Sequence, residues 1–144
     1  MLGGNLRCRI YDLRFMNEKK PIKVFTDLLA WQKNHEFVLA VYDITKKFPK
    51  EEIYGLVSQM RRSAVSITSN IAEGFGRQGM REKINFYYIA QGSLTELKNQ
   101  LLISKALNYL AEEDFSAIEK KADDGHALLQ GLIKKSKEFL NLKS

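Results

Sequence analysis

The sequence has little cysteine, little proline and no long apolar run. Of its 144 residues, one is cysteine (Cys8) and two are proline (Pro21 and Pro49). A single cysteine excludes an internal disulfide framework and fits a reducing compartment. No stretch approaches the roughly 18 apolar residues of a membrane span, and the N-terminus lacks the apolar core of a signal peptide. We therefore expect a cytoplasmic protein with no membrane association.

The scarcity of proline favours long helices, because proline interrupts the backbone hydrogen bonds of a helix. Residues 1–24 show no clear periodicity, and Met16 is a second possible start within them. Residues 25–144 are long enough for one domain with one hydrophobic core. The predicted organisation is therefore an N-terminal extension, residues 1–24, followed by a single domain, residues 25–144.

Apolar residues recur at spacings of three and four in four segments of this domain. The segments predict helices at Thr26–Phe48, Glu51–Glu73, Gly79–Leu107 and from Glu112 onward. The stripe of the second helix keeps a heptad register through Ile53, Val57, Met60, Ala64, Ile67 and Ile71. No credible strand remains between the helices. Four long helices with short connections predict an all-α, antiparallel up-down-up-down four-helix bundle.

Local details of this bundle also follow from the residue types. The predicted core face of the first helix is Leu28, Trp31, His35, Val38, Tyr42 and Thr45, widened by Leu39 and Val41. Gly74 is expected in a left-handed conformation just after the second helix, and Asn108 at the C-terminal cap of the third. Gly92, in the middle of the third helix, is expected to let a neighbouring helix approach closely.

Gly74, Gly76 and Gly79 match the Gly-x-Gly-x-x-Gly pattern of dinucleotide-binding loops. Such a loop needs a strand before it and a parallel sheet around it, whereas a heptad helix precedes this one. We therefore predict no nucleotide cofactor, and no other cofactor. A weaker hypothesis stays open, because the N-terminus of the third helix lies beside three basic residues and such an end can hold a phosphate.

Gln32-x-x-His35 and Asp123-x-x-His126 have the spacing of metal-binding pairs in helical bundles. Gln32 is a poor ligand and no second pair of inward-facing glutamates is evident, so we predict no metal site. We expect His35 to be hydrogen-bonded at the edge of the core and His126 to lie on the surface. Cys8 lies in the extension, and no serine has an identifiable histidine and aspartate partner, so we predict no catalytic residue.

The chain carries a formal net charge of +6 and has an isoelectric point near 9.4. This bias permits attraction to phosphate-rich partners without requiring it. We expect RNA or DNA to be bound through phosphate contacts from basic residues of the second helix, the following turn and the start of the third helix. These predicted nucleic-acid-binding residues are Arg61, Arg62, Arg77, Arg81 and Lys83.

Six polar residues of the second and third helices are offset from the apolar stripes. They are Gln59, Ser66, Asn70, Glu73, Ser93 and Glu96. One interpretation is a polar binding surface, and the other, which we favour, is an interhelical or intersubunit hydrogen-bond network. Next to them in sequence, Phe86, Tyr87 and Tyr88 cannot all face one core, so at least one points outward as a candidate oligomer contact.

Four runs of the sequence resemble a known family. The two longest are Phe48-Pro49-x-Glu51-Glu52-x-Tyr54-Gly55-Leu56 and Gln59-Met60-Arg61-Arg62-Ser63-Ala64-x-Ser66-Ile67-x-x-Asn70-Ile71-Ala72-Glu73-Gly74. The others are Leu28-x-x-Trp31-Gln32-Lys33 and Ile89-Ala90-Gln91-Gly92-Ser93-x-x-Glu96-Leu97. They resemble the four-helix bundle family encoded in intervening sequences of bacterial 23S ribosomal RNA genes, over roughly residues 25 to 135.

This resemblance implies assembly into a ring-like homopentamer and no enzymatic activity. The family is also similar to the accessory protein of diversity-generating retroelements, a basic barrel that binds nucleic acid and a reverse transcriptase. The residues that the family pattern matches are Gln59, Arg61, Arg62, Asn70, Glu73, Gly74 and Arg77, whereas Ser63 replaces a small apolar residue. Two functions stay open: a non-enzymatic homo-oligomer that binds RNA or DNA, or a scaffold subunit that docks another polypeptide such as a reverse transcriptase.

Overall fold

The computed structural model describes residues 21–143, which form four long helices. They are α1 (Leu29–Thr45), α2 (Leu56–Phe75), α3 (Met80–Ala106) and α4 (Glu112–Lys143), and this part of the chain contains no strand. Each helix packs against two others, because α1 and α3 both contact α2 and α4. Short connections make successive helices antiparallel. The structure therefore confirms the predicted all-α four-helix bundle.

The core of the bundle is built from the apolar stripes that the sequence predicts for α2, α3 and α4. Met60, Ile67 and Ile71 of α2 are fully buried, and the stripes of α3 and α4 that face them are buried over most of their length. Ile53 is the exception in the second stripe: it precedes α2 and is exposed. Removal of this apolar surface from water, worth roughly 25 cal/mol per Å², holds the four helices together.

The buried face of α1 differs from the predicted one. The residues of α1 that reach the core are Ala30, Asn34, Phe37, Val38, Val41 and Thr45. Leu39 and Tyr42, both predicted inside, are exposed. Apolar residues surround most of this helix, so spacing alone allows two overlapping stripes. The stripe with Asn34 can be buried because its Nδ2 donates to the carbonyl oxygens of Ala30 at 2.8 Å and of Gly125 at 3.1 Å, although its Oδ1 has no partner among residues 21–143.

Two helices begin later than predicted, because short 3-10 turns at Phe25–Asp27 and Lys50–Glu52 precede them. At the second turn, the Glu52 carboxylate accepts hydrogen bonds from the backbone N–H of Leu56 at 3.1 Å and from the Tyr109 hydroxyl at 2.8 Å. Both bonds lower the pKa of Glu52, and the bond from Leu56 has the larger effect. One carboxylate thus satisfies one N–H of the first turn of α2 and ties this turn to the connection after α3.

Gly74 is an interior residue of α2, so the left-handed cap predicted there is wrong. A Cβ added at Gly74 would lie 2.8 Å from the Cβ of Phe86 and 2.9 Å from the ring of Tyr87, so the missing side chain lets α2 and α3 approach closely. At Gly92 an added Cβ would meet nothing within 4 Å, so the close approach predicted there is wrong. The C-terminal cap of α3 is Leu107, and Asn108, predicted as the cap, follows it in the left-handed conformation with a φ of 64°.

The predicted N-terminal extension, residues 1–24, lies largely outside the described residues. Cys8 and the alternative start at Met16 fall in that part of the chain, so the division of the sequence near residue 24 stays a prediction. Within residues 21–143, no helix is long and apolar enough to cross a membrane.

Candidate nucleic-acid interface

Three of the six polar residues singled out in the sequence meet between α2 and α3. The hydroxyl oxygens of Ser66 and Ser93 lie 2.7 Å apart. Asn70 Nδ2 donates to the carbonyl oxygen of Ser66 at 2.8 Å and to its hydroxyl at 3.1 Å. We call Ser66, Asn70 and Ser93 the α2–α3 seam. All three are half-buried, and the two hydroxyls and the Asn70 Nδ2 bond to one another within the chain, as in an interhelical network.

The other three polar residues lie outside the seam. Gln59, Glu73 and Glu96 are exposed, and the Glu73 carboxylate pairs with Arg77 at 3.0 Å one turn along α2. The side chains of Gln59 and Glu96 make no hydrogen bond or ion pair with any of residues 21–143. The structure therefore brings together half of the predicted set, and Glu96 pairs with none of the arginines.

The five predicted basic residues do not form one cluster. Arg61 and Arg62 lie near the start of α2, whereas Arg77, Arg81 and Lys83 surround the turn between α2 and α3. Arg77 follows Arg62 by 15 residues, which at the rise of a helix is about 22 Å. A ligand that touches both groups must therefore be extended.

Two of these basic side chains cap the C-terminal ends of helices. Arg61 Nε donates to Thr45 Oγ1 at 3.0 Å and its Nη2 to the carbonyl oxygen of Tyr42 at 3.3 Å, at the C-terminus of α1. Lys83 Nζ donates to the carbonyl oxygen of Phe75, at the C-terminus of α2. Carbonyl groups in the last turn of a helix lack a partner within the helix. Both residues therefore hold the bundle together.

Arg77 is also engaged within the chain. Its Nη2 lies 3.0 Å from Glu73 Oε2, and its guanidinium carbon lies 4.7 Å from the centre of the Phe86 ring. By contrast, Arg62 and Arg81 are exposed, and neither side chain contacts a partner among residues 21–143. Of the predicted arginines, these two have guanidinium groups available to a ligand.

A groove between α3 and α4 was not predicted from the sequence. It has a volume of about 580 Å³, and six of the side chains that line it are Tyr88, Gln91, Gln130, Lys134, Lys137 and Asn141. Ile133, which is buried, contributes to its floor. Lys137 Nζ donates to the Tyr88 hydroxyl at 2.8 Å across the groove. We call this surface the α3–α4 groove.

The spacing of the groove residues is visible in the sequence. Gln130, Lys134, Lys137 and Asn141 recur at intervals of four, three and four, so they lie along one edge of α4. Tyr88 is the outward aromatic of the run predicted to contain one, since Tyr87 is buried and Tyr88 is 43% exposed. Polar residues and single aromatic residues are common on solvated helix faces. Only the packing of α3 against α4 shows that Tyr88 and this edge of α4 face each other.

The two histidines have different surroundings. His35 stacks on Trp31, with ring centres 4.5 Å apart, in place of the hydrogen bond expected for it. His126, predicted on the surface, is half-buried, and its Nδ1 lies 3.0 Å from Lys98 Nζ, which pairs with Asp123 at 3.0 Å. Burial is the main cause that lowers the pKa of His126, and the positive charge of Lys98 lowers it further. Within residues 21–143, no three His, Cys, Asp or Glu side chains converge as metal ligands would.

These features define an all-helical bundle with an internally bonded polar seam and an open groove lined by lysine and amide side chains. Residues 26–131 match the family of 23S rRNA-intervening sequence proteins. The chain belongs to this family, as the sequence motifs predict.

A crystal structure has a similar fold, that of a protein of unknown function from the S23 ribosomal protein family of Bacteroides thetaiotaomicron. It superposes with a TM-score of 0.68 at 25% sequence identity, over 74% of this chain and 96% of that one. A search of curated proteins found no match to this chain.

Proposed function

We propose that this chain is a non-enzymatic homo-oligomer that binds RNA or DNA through exposed basic residues. The observation that carries the proposal is the exposure of Arg62 and Arg81. Both are exposed, and neither pairs with a carboxylate among residues 21–143. The formal net charge of +6 supports attraction of a polyanion to the whole molecule.

The chemistry of the two arginines suits phosphate. A guanidinium group is charged at every physiological pH and donates two parallel hydrogen bonds to phosphate oxygens. The length of α2 separates the two residues by about 20 Å, which corresponds to roughly six nucleotides at 3.4 Å each. Contacts of this kind position the nucleic acid without reading its bases, so we expect little sequence preference from them.

The outer face of α3 supports the proposed homo-oligomer. Ile89, Leu102 and Ile103 of α3 have 52%, 55% and 41% of their surfaces exposed. Exposed aliphatic side chains of this size are candidates for contact with another protein surface. A second copy of this chain is the partner we propose for it, and the ring-like form rests on the family resemblance.

Binding across a salt series tests the nucleic-acid proposal. We expect structured RNA and duplex DNA to bind at low salt, with log K falling linearly as log [salt] rises. The R62Q/R81Q double variant should reduce the magnitude of that slope by about 2, because two phosphate contacts are lost. The K33Q/K120Q variant removes the same charge from lysines that pair with Glu36 and Asp124, and it should keep the slope. No binding at low salt would overturn the proposal.

A second candidate function is docking of another polypeptide. It is favoured by the connection between α1 and α2, where Tyr54 is 95% exposed and Ile53 is 55% exposed. Exposed aromatic and aliphatic side chains of this kind are the usual anchors of protein interfaces. A partner captured by the purified chain after nuclease treatment, and lost with Y54A, would support docking. Capture that disappears with nuclease treatment would exclude it.

A further inference from the structure

We infer that the α3–α4 groove binds one unpaired nucleotide of a single-stranded RNA or DNA segment, an inference that rests on the proposed nucleic-acid binding. The groove combines an aromatic ring, unpaired amides and lysines between two helices. None of its residues belongs to the arginine and lysine set predicted from the sequence. It would therefore add recognition of a base to the phosphate contacts of Arg62 and Arg81.

The shape of the groove suits a ligand of this size. Its volume of about 580 Å³ falls within the range of roughly 300–1,000 Å³ found for small-molecule sites. Tyr88 from α3 and Ile133 from α4 give it an apolar surface. With 43% of its surface exposed, Tyr88 can pack against a further planar group. Aromatic side chains that stack on bases are the common feature of single-strand binding proteins.

The amides of the groove have no hydrogen-bonding partner in the described part of the chain. The side chains of Gln91, Gln130 and Asn141 make no hydrogen bond with any of residues 21–143. Each carries both a donor and an acceptor, as the Watson–Crick edge of a base does. The amide of Asn70, by contrast, is already bonded to Ser66. The groove amides are therefore available to a base in a way that the amide of the α2–α3 seam is not.

The charge of the groove suits the phosphate that flanks a base. Lys134 has no partner among residues 21–143, and the Lys137 ammonium is bonded to the Tyr88 hydroxyl rather than to a carboxylate. Glu138 also lines the groove, but its carboxylate lies 3.5 Å from Lys135 Nζ. The local balance of charge therefore favours an anion.

An unpaired nucleotide fits better than a duplex. The groove lies between two helices, and its volume of about 580 Å³ leaves room for one base. A duplex keeps its bases stacked and paired, so none can enter the groove to meet Tyr88. A free or single-stranded base exposes both its face and its hydrogen-bonding edge.

Binding of a labelled single-stranded RNA and of its duplex form tests the inference. We expect Y88L to weaken binding of the single strand by about tenfold, since one base loses its stacking partner, and to leave duplex binding unchanged. Y88F keeps the ring and should bind the single strand almost as well as the unmodified chain. K134Q should reduce the magnitude of the salt slope for the single strand by about 0.7, as the loss of one phosphate contact does.

The outcomes separate this inference from the proposed function. Absence of binding to either RNA by the unmodified chain would overturn both. Normal binding with equal affinities of Y88L and the unmodified chain for the single strand would overturn only the groove assignment. So would displacement of the single strand by polyglutamate as readily as by unlabelled RNA, because that would indicate an acidic peptide as the ligand. Equal unfolding midpoints of Y88L and Y88F would show that the comparison is not affected by folding.

Discussion

The two sides of α3 use similar polar residues in different ways. On the side facing α2, the Ser93 hydroxyl lies 2.7 Å from the Ser66 hydroxyl and the adjacent Asn70 amide is bonded to Ser66. On the side facing α4, Gln91 lines an open groove and has no partner within residues 21–143. One side is closed by contacts within the chain, whereas the other leaves donors and acceptors free.

The difference shows that residue type alone does not separate a polar residue that is bonded within the chain from one that is left free for a ligand. What separates them is whether a polar group of the next helix lies within hydrogen-bonding distance, as Ser66 does for Ser93 at 2.7 Å. α2 comes close to α3 because Gly74 has no side chain at the point where it meets Phe86 and Tyr87. Near the C-terminus of α4, long side chains such as Lys134 and Lys137 line the space beside α3 and leave an open groove.

The largest effect is expected from a methyl group placed where α2 contacts α3. G74A places a Cβ 2.8 Å from that of Phe86 and 3.1 Å from the carbonyl oxygen of Lys83, so helix or side chain must move. Overpacking of this kind costs typically 1–3 kcal/mol, and we expect a loss of about 2 kcal/mol in the free energy of unfolding. Urea denaturation measures it, and a loss well below 0.5 kcal/mol would contradict the close contact.

A smaller loss is expected within the seam itself. S66A removes the hydroxyl shared by Ser93 and Asn70, and the amide keeps its bond to the backbone carbonyl at 2.8 Å. We expect a loss of about 1 kcal/mol, typical of one hydrogen bond with partial burial. Denaturation of S66V would show whether the loss comes from the hydrogen bond or from volume, because valine fills the space and cannot bond.

Gly92 gives an effect of opposite sign. A Cβ at this position meets nothing within 4 Å, so G92A adds helix propensity without a clash. We expect the free energy of unfolding to rise by about 0.5–1 kcal/mol. The free energy of unfolding should be measured at concentrations where the monomer dominates, because a second copy packed on α3 would add its own contacts. A destabilised monomer would contradict the open surroundings of Gly92.

The smallest effect is a pH dependence on the α4 side. Because the folded state lowers the pKa of His126, the unfolded state binds more protons just below the ordinary value of 6.5. Stability should therefore be constant above that value and fall as pH decreases through the window between the unfolded and the folded pKa. H126Q should lose this part of the slope in denaturation series at several pH values. An identical slope in H126Q would assign the effect to other groups.

The fold was largely predictable, because the apolar stripes of α2, α3 and α4 repeat at three and four residues and leave no alternative face. The face of α1 was not, because its apolar residues nearly surround the helix and the bonds that allow Asn34 to be buried depend on Gly125 of α4. The seam was identified by its serines and asparagine, which are unusual so close to a core. The groove could not be predicted, because Gln91 and Gln130 have the sequence pattern of ordinary surface residues. Only the packing of α3 against α4 brings them to one groove.

The most direct test compares two residues of α3 that are two positions apart, one on each side. S93A and Q91A are each measured for free energy of unfolding and for affinity to single-stranded RNA. We predict that S93A loses about 1 kcal/mol of stability with unchanged affinity, whereas Q91A keeps its stability within about 0.5 kcal/mol and binds about fivefold more weakly. If S93A weakened binding while Q91A had no effect on it, the assignment of the two sides of α3 would be contradicted.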